Sequence, residues 1–330
     1  MKTNHNACFI EQSKLFFSLL DYRNNYFISD NPDHVKEFYN TFSNNNTLIE
    51  WMREKPKGNY VLKEFEGRKD IIVVIPTIDA NGSYANNCRH IFNDLHIIFV
   101  ESGYYNLYFN YAHNCNAGIK KALEYNPKWV IISNDDVKTS FTSLQLSAEL
   151  SNLDYSKINT VFTRRSTQSS SKMAVCKLNL IGKIVFGIIE RTHLEQFFSE
   201  QQKSFIIPVI LNKRFKNKFI ICAYNRIAKI FFTKYISYYN FEAFGLFSSE
   251  FIRTEKEIFD ETYINAHEDQ DLSMRMSIER ERIAWIECGI NGYGGKSFGN
   301  GLQRSYRTIA SDTYLNYKIS NDILLQKIHK

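Results

Sequence analysis

The run Val130-Ile131-Ile132-Ser133-Asn134-Asp135-Asp136-Val137 closes a β-branched apolar segment with one amide and two adjacent carboxylates. Two carboxylates ~4 Å apart repel by ~4 kcal/mol at an effective dielectric near 20. At the exit of a buried strand they need either water around both or a counter-charge between them. A hard divalent cation suits the second case, because such ions take oxygen ligands and share them with phosphates. The plainer alternative is a solvated strand end in which Asn-Asp-Asp makes a turn.

Neighbouring elements must position that strand. "DIIVVIPT" (70–77) is a dense apolar run closed by Pro76 and reads as a buried strand. "NCRHIFND" follows as a helix, and "LHIIFVESG" is a second strand ending at Glu101. "YFNYAHNCNAGIKKALEYNP" spaces its apolar residues three and four apart and stops at Pro127, as a helix does. "KWVIISNDDV" is the third strand. Strand, helix, strand, helix, strand predicts an α/β fold with a mostly parallel, Rossmann-type sheet flanked by helices. Ligands of such sheets gather at the carboxyl ends of the strands. Those ends carry Pro76-Thr77-Ile78-Asp79, Glu101-Ser102-Gly103 and Asn134-Asp135-Asp136.

The turn after the first strand, "IPTIDANGSYAN", has one glycine. A dinucleotide fold needs several there so that its backbone can approach a pyrophosphate. This counts against NAD, FAD and a typical methyltransferase cofactor, and no Walker loop occurs either. Glu101 suits a ribose hydroxyl in any such fold. What remains is a nucleotide site whose phosphates are held through a cation, with Asp136 and its neighbours as ligands.

The order "VVIPT", "VESG", "NCNAGIKKAL", "IISNDDV" resembles the donor half of GT-A-fold glycosyltransferases of the family 2, rhamnosyltransferase-like type. "AFGLFSSEFIRTEKEIFDETYINAHEDQDLSMRM" resembles that family's acceptor half: a glycine-bearing strand, a helix, an "fDE" turn, then a helix opening with Glu-Asp-x-Asp-Leu. The likeness spans about residues 70–140 and 241–300. It implies that Pro76, Thr77 and Asp79 lie against the nucleotide and that Glu101 touches base or ribose. Asn116 and Gly118 would sit near the diphosphate. Asn134, Asp135 and Asp136 would form the DxD-like motif, with Asp136, aided by Asp135, binding Mg²⁺ or Mn²⁺. Asp269 would be the acceptor-activating base, with Glu268 beside it. The implied activity is metal-dependent, inverting transfer from a nucleotide-diphosphate sugar to a glycan or lipid-linked acceptor. The alternatives are a retaining transferase or nucleotidyltransferase, or a carbohydrate-binding relative without activity.

Against the catalytic reading of Glu268, Asp269 and Asp271 stands ordinary helix chemistry, since acids in a first turn complement the helix dipole. Asp271 is expected to orient the helix and to pair with Arg275, one turn on. His267 reads as a packed or surface residue, and Arg164 and Arg165 as either phosphate-facing or solvated. Many relatives carry a histidine after the Glu-Asp helix, but none occurs here between His267 and His329. Either the cation has fewer protein ligands, or Lys296 in "NGYGGKSFGNG" supplies positive charge instead.

Composition agrees with a folded chain: 330 residues, 44% hydrophobic, 23% charged, with 14 Gly and 5 Pro. A net charge of +6 is compatible with a phosphorylated ligand or an anionic surface. No nucleic-acid-binding module appears. The six cysteines form no CxxC pair, which disfavours zinc or a disulfide framework and fits a reducing, cytoplasmic compartment. The opening "MKTNHNACFIEQSKLFFSLL" is read as no signal peptide, and no apolar window suits a membrane span. Four regions are expected: a helical extension over 1–68, a donor half over 69–190, a basic-apolar insertion over 191–240 and an acceptor half over 241–330. Residues 203–240 hold many Lys and Arg, no Asp or Glu, and interleaved large apolar residues. Such a segment fits either docking on an anionic membrane face or packing on the core or on a second subunit of a homo-oligomer. The second is preferred, because the apolar positions form no single stripe. "TEKEIFD" and "NAHEDQDLSMRMSIERERI" are expected to be helical.

Overall fold

The computed structural model describes residues 22–104, 106–164, 171–178, 180–181, 204–208, 230, 232–241, 244–255, 257–277, 282–292 and 301–321. Residues 22–28 are helical, followed by α1 (Pro32–Asn40) and α2 (Asn45–Glu54). Asn31 and Asn44 cap these two helices, each accepting a hydrogen bond from a first-turn amide. Their apolar faces (Phe38, Trp51, Met52) pack with Tyr263, Met274 and Tyr314 in one cluster.

The main sheet is built from β1 (Val61–Phe65), β2 (Arg68–Thr77), β3 (Leu95–Glu101), β4 (Trp129–Ser133), β6 (Thr160–Thr163), β10 (Phe244–Ser248) and β11 (Ile283–Ile286). Its order is β1-β3-β2-β4-β10-β6-β11. β3, β2, β4, β6 and β11 run one way; β1 and β10 run the other. The fold is therefore α/β with a mixed, mostly parallel sheet. Crossover helices α3 (Ser83–Ile91) and α4 (Tyr111–Leu123) join the first three parallel strands.

Alternation along the strands assigns each face its own helices. Val73, Ile75, Ile97, Phe99 and Ile131 face one layer with Ala85 and Cys88 of α3 and with Leu146 and Leu150 of α5 (Ser143–Ser151). Ile72, Val74, Ile98, Val100, Val130 and Ile132 face the other, with Ala112, Cys115, Ile119 and Ala122 of α4. These strand residues are almost fully buried, and each such side chain stabilises by ~1.5–3 kcal/mol relative to exposure.

Beyond the sheet lie β5 (Val137–Thr139), paired with β12 (Ile290–Gly292), and an antiparallel trio of β7 (Ser171–Leu178), β8 (Ser204–Pro208) and β9 (Phe232–Asn240). Among the described residues, three further helices follow: α6 (Ser249–Thr254), α7 (Glu268–Ser277) and α8 (Gly301–Ser320).

Three expectations change. Val61–Phe65, placed in the helical extension, is an edge strand, because "VLKEF" alternates and pairs antiparallel with Ile97–Glu101. In "TEKEIFD" the helix stops at Thr254, and Glu255 takes an extended backbone at its C-cap. α7 begins at Glu268 rather than at Asn265, since Asn265 and His267 adopt left-handed backbone angles that no right-handed helix accepts. Of the basic-apolar stretch, 204–208, 230 and 232–240 are described. Both described strands there pair with β7, so this region joins the antiparallel trio at its two ends. Arg165 and Lys296 lie outside the described residues. Among the described residues, no helix is long and apolar enough to cross a membrane.

Candidate functional site

Strands β2, β3 and β4 end at one sheet edge, where Thr77 is in register with Glu101 and Val74 with Ile132. β10 enters from the same edge, with Phe244 opposite Ser133. Of the sequence-predicted donor residues, Thr77, Asp79, Glu101, Asn134, Asp135 and Asp136 lie there. The Thr77 hydroxyl donates to Asp135 Oδ2 at 2.7 Å. Asp79 Oδ1 accepts from the Asn81 amide at 2.8 Å, which fixes the turn after β2. Glu101 Oε2 accepts from Lys63 Nζ and from the Ala80 amide, both at 2.8 Å. The Lys63 bond, foremost, holds the Glu101 carboxyl below its usual range. Gly103 takes a left-handed backbone (φ 74°) and donates to Ile78 O at 3.0 Å, closing the loops over β2 and β3.

At the end of β4, Asp136 is 9% exposed and Asp135 half-buried. Burial pushes both carboxyls up, and for Asp135 the Asp136 charge adds to the effect. The Thr77 hydroxyl for Asp135, and the Asn134 side chain for Asp136, act the other way. Asn134 Oδ1 in turn accepts from the Tyr111 hydroxyl at 2.9 Å.

The second acidic set opens α7. Glu268 is 7% exposed, and its Oε2 has no hydrogen-bond partner. Burial first, then the Asp269 charge, pushes the Glu268 carboxyl up to about 8. Asp269 is also raised, through burial; its Oδ1 accepts from the Gln270 amide at 2.8 Å, and the Asn240 side chain reaches it. His267 lies between Gln270 Oε1 (2.8 Å) and Asp312 Oδ1 (2.5 Å). Although burial opposes it, the Asp312 pairing raises the imidazole above its ordinary value. His267 is thus a bridging residue rather than inert packing. Asp271 pairs with Arg275 Nε at 3.0 Å, as expected, and also with Lys318 at 2.6 Å.

Tyr111 joins the two sets. Its partly buried side chain lies beside Cys115, its hydroxyl bonds Asn134, and it feels the charges of Glu268 and Asp269. Its helix is sewn to the loop before α7. Asn110 caps α4 through the His113 amide at 2.9 Å and donates to Glu261 O (3.0 Å) and Tyr263 O (2.9 Å). Asn265 Oδ1 accepts from the Tyr111 amide at 2.7 Å.

Two expected donor residues serve other ends. Asn116 Nδ2 donates to Phe259 O at 2.8 Å and to Glu261 Oε1 at 3.1 Å, and its Oδ1 accepts from the Phe259 amide at 3.0 Å. Both its polar groups clamp the "fDE" turn. A Cβ at Gly118 would stand 2.2 Å from Val74 Cγ1, so this glycine lets α4 close on the sheet. Pro76 sits in β2 in register with Val100, away from free solvent. Arg164 is solvated and pairs with Glu287 at 3.2 Å.

Sequence reasoning assigned no role to Asp260 and Glu261. Lys318 and Tyr314 bond Asp260 Oδ2 at 2.9 and 2.8 Å. Burial of Asp260 is outweighed by Lys318, which brings its carboxyl down to about 2. Glu261 takes Lys57 and His113. Tyr111, Asn110, Asn240 and Asp312 were missed too; only Asn110, as a cap before an apolar-periodic run, left a sequence signal.

Among the described residues, no three His, Cys, Asp or Glu side chains converge on one metal position. Asp135 and Asp136 still offer hard oxygen donors, and two carboxylates plus substrate phosphates suffice for Mg²⁺ or Mn²⁺. The pair therefore fits a cation shared with a ligand better than one caged by protein alone. No family model matches this chain, and no curated protein matches it.

Proposed function

We propose that this protein is a GT-A-type glycosyltransferase: cation-dependent, taking a sugar from a nucleoside-diphosphate donor to an acceptor hydroxyl with inversion. The observation that carries the reading is Tyr111, whose hydroxyl bonds the Asn134-Asp135-Asp136 end of β4 while its ring feels Glu268 and Asp269. On this reading the two acidic sets face one cleft, as displacement at a single anomeric carbon requires. The parallel run β3-β2-β4 beside the reversed β10 supports the fold assignment.

Asp136 and Asp135 would hold Mg²⁺ or Mn²⁺, which when bound offsets negative charge gathering on a departing diphosphate. Thr77 orients Asp135 through its 2.7 Å hydrogen bond. Glu101, pinned by Lys63 and the Ala80 amide, faces the nucleoside end. Asp269 takes the proton of the acceptor hydroxyl as that oxygen attacks; a base must stand within ~3 Å of the proton it removes. Glu268, raised to about 8, keeps its proton at neutral pH, and the role of base goes to Asp269 by its place in the Glu-Asp-x-Asp-Leu motif. The acceptor, a glycan or lipid-linked alcohol, enters from the α7 side.

Calorimetric titration with a panel of nucleoside diphosphates, with Mn²⁺ or with EDTA, tests the donor half. Asp136→Ala is expected to remove cation-dependent binding, and Asp269→Asn to keep binding but lose transfer. Full turnover by Asp269→Asn, or retained configuration in the product by NMR, would sink the proposal.

A further inference from the structure

A cavity of about 300 Å³ lies between the N-terminal helices, Tyr104 and residues 106–109 after β3, and the Ile264-Asn265 turn. It shares no lining residue with the two acidic sets. Trp51, Phe27, Tyr104 and Phe109 give it aromatic walls, and Lys55 and Arg307 give it cations.

Lys55 is the anomaly. It terminates α2, its own amide donating to Trp51 O at 2.8 Å, and it is only 8% exposed. Its ammonium makes no ion pair among the described residues. The carboxylates whose charges reach it are Glu261 and Asp260, and both are committed. Glu261 is taken by Lys57, His113 and Asn116. Asp260 is taken by Lys318 and Tyr314. Burial, then the nearby Lys57, brings the Lys55 amine down to about 8, so burying its charge is costly here. Arg307 differs: its Nε donates to Phe27 O at 3.0 Å and its Nη2 to Ser29 O at 2.8 Å, and Asp30 lies close by on the same wall. Asp30 thus balances Arg307, and among the described residues Lys55 is the charge left over. A buried cation without a counter-ion is kept at a cost that a bound anion would offset.

We infer that this cavity is a binding site for a small organic anion, a phosphate or carboxylate on a flat apolar body. The anion would sit on Lys55 and the body against Trp51 and Tyr104. An occupant would also touch Phe109 and Asn265. Asn265 bonds Phe109 O at 2.9 Å and the Tyr111 amide at 2.7 Å, so the ligand would rest on the start of α4 and adjoin the cleft.

The test is calorimetry on the full chain in EDTA without nucleotide, using phenyl phosphate, inorganic phosphate and phenol as probes. Without a divalent cation the acidic sets repel anions, so the result stands whatever becomes of the transferase proposal. Phenyl phosphate is expected to bind with one-to-one stoichiometry, at least fivefold tighter than inorganic phosphate, with phenol weaker than both. Lys55→Met is expected to weaken phenyl phosphate at least tenfold while raising the melting temperature of the unliganded chain. Asp136→Asn is expected to leave phenyl phosphate binding unchanged. Lys55→Gln, closer in shape and polarity, is the second variant if Lys55→Met does not fold. Absence of saturable binding, or undiminished affinity in a folded Lys55 variant, would overturn the site. Equal affinity for the two phosphates would overturn its aromatic half.

Discussion

Asp136 and Glu268 are nearly equally hidden from water, at 9% and 7% exposure, yet their surroundings treat charge differently. Asp136 and its neighbour Asp135 receive the Asn134 side chain and the Thr77 hydroxyl, donors that favour an ionised carboxylate. Glu268 receives no donor at Oε2 and stands beside another acid. Burial raises the whole group; hydrogen-bond donors decide which members can still carry charge at neutral pH. The Asn134-Asp135-Asp136 end therefore has donors that favour ionised carboxylates, as holding a cation needs, while the α7 end keeps a proton on Glu268.

The largest test of that contrast exchanges the losses. Asp269→Asn is expected to lower transfer by about 10²–10⁴, the usual worth of a general base, with donor affinity unchanged. Asp136→Asn is expected to do the reverse at the binding step: without cation it melts no lower than wild type, and Mn²⁺ no longer raises its melting temperature. Because Asp135 and Asp136 are raised in the cation-free protein, cation binding must expel protons and weaken as pH falls. Stabilisation by Mn²⁺ is expected to be larger at pH 8 than at pH 5.5, read by thermal melts.

Next in size is the support beneath α7. Lys318 joins Asp260 and Asp271, so Lys318→Met leaves the buried Asp271 and the part-buried Asp260 short of a cation. The expected loss is about 3–5 kcal/mol in urea unfolding, with the strand ends of β2 and β4 the last part to lose protection from hydrogen exchange. Uniform loss of protection would show that the two ends of the cleft do not stand on separate supports.

Glu268→Gln isolates the proton. The folded carboxyl, at about 8, lies above its ordinary value. The folded state therefore binds a proton that the unfolded chain releases. That stability is complete below the unfolded pKa of about 4.3 and is lost as pH rises through the folded value. Wild type is expected to lose on the order of 2–4 kcal/mol between pH 5 and 9 through this group. Glu268→Gln should flatten that slope; an unchanged slope would assign it elsewhere.

The acids themselves were legible in the sequence because their signals are local. A β-branched run fixes β4 and puts Asn134-Asp135-Asp136 at its exit; an acidic first turn marks α7. The helices α3 and α4 were equally plain, since each lies between apolar strands and shows helical spacing. The contacts of Asn116 and Gly118 were not legible, because position cannot tell a ligand-facing amide from one that clamps a turn. Only the contact with Phe259, far along the chain, shows which. The strand at Val61–Phe65 was hidden because edge strands are short and half polar. The bridges from Tyr111 to Asn134, from Asp312 to His267 and from Lys318 to Asp260 join residues far apart in the chain. No periodicity encodes such pairs; tertiary packing makes them.

The smallest expected effect speaks most directly to whether the two ends communicate. Tyr111→Phe removes one hydroxyl that donates to Asn134 Oδ1 at 2.9 Å and keeps the ring. The lost hydrogen bond should cost about 1 kcal/mol of stability. Asn134 would then be free to turn from Asp136, so Mn²⁺-dependent nucleotide affinity should fall several-fold. The decisive comparison is a double-mutant cycle with Glu268→Gln. Contacting residues show coupling of about 0.5–3 kcal/mol, whereas independent sites add to within ~0.5 kcal/mol. Tyr111 feels the Glu268 charge once that carboxyl ionises, so in a cycle measured above the Glu268 titration its removal should change what the Tyr111 hydroxyl is worth to Asn134. Simple additivity would mean that the anion pair and the proton-holding pair only share a wall.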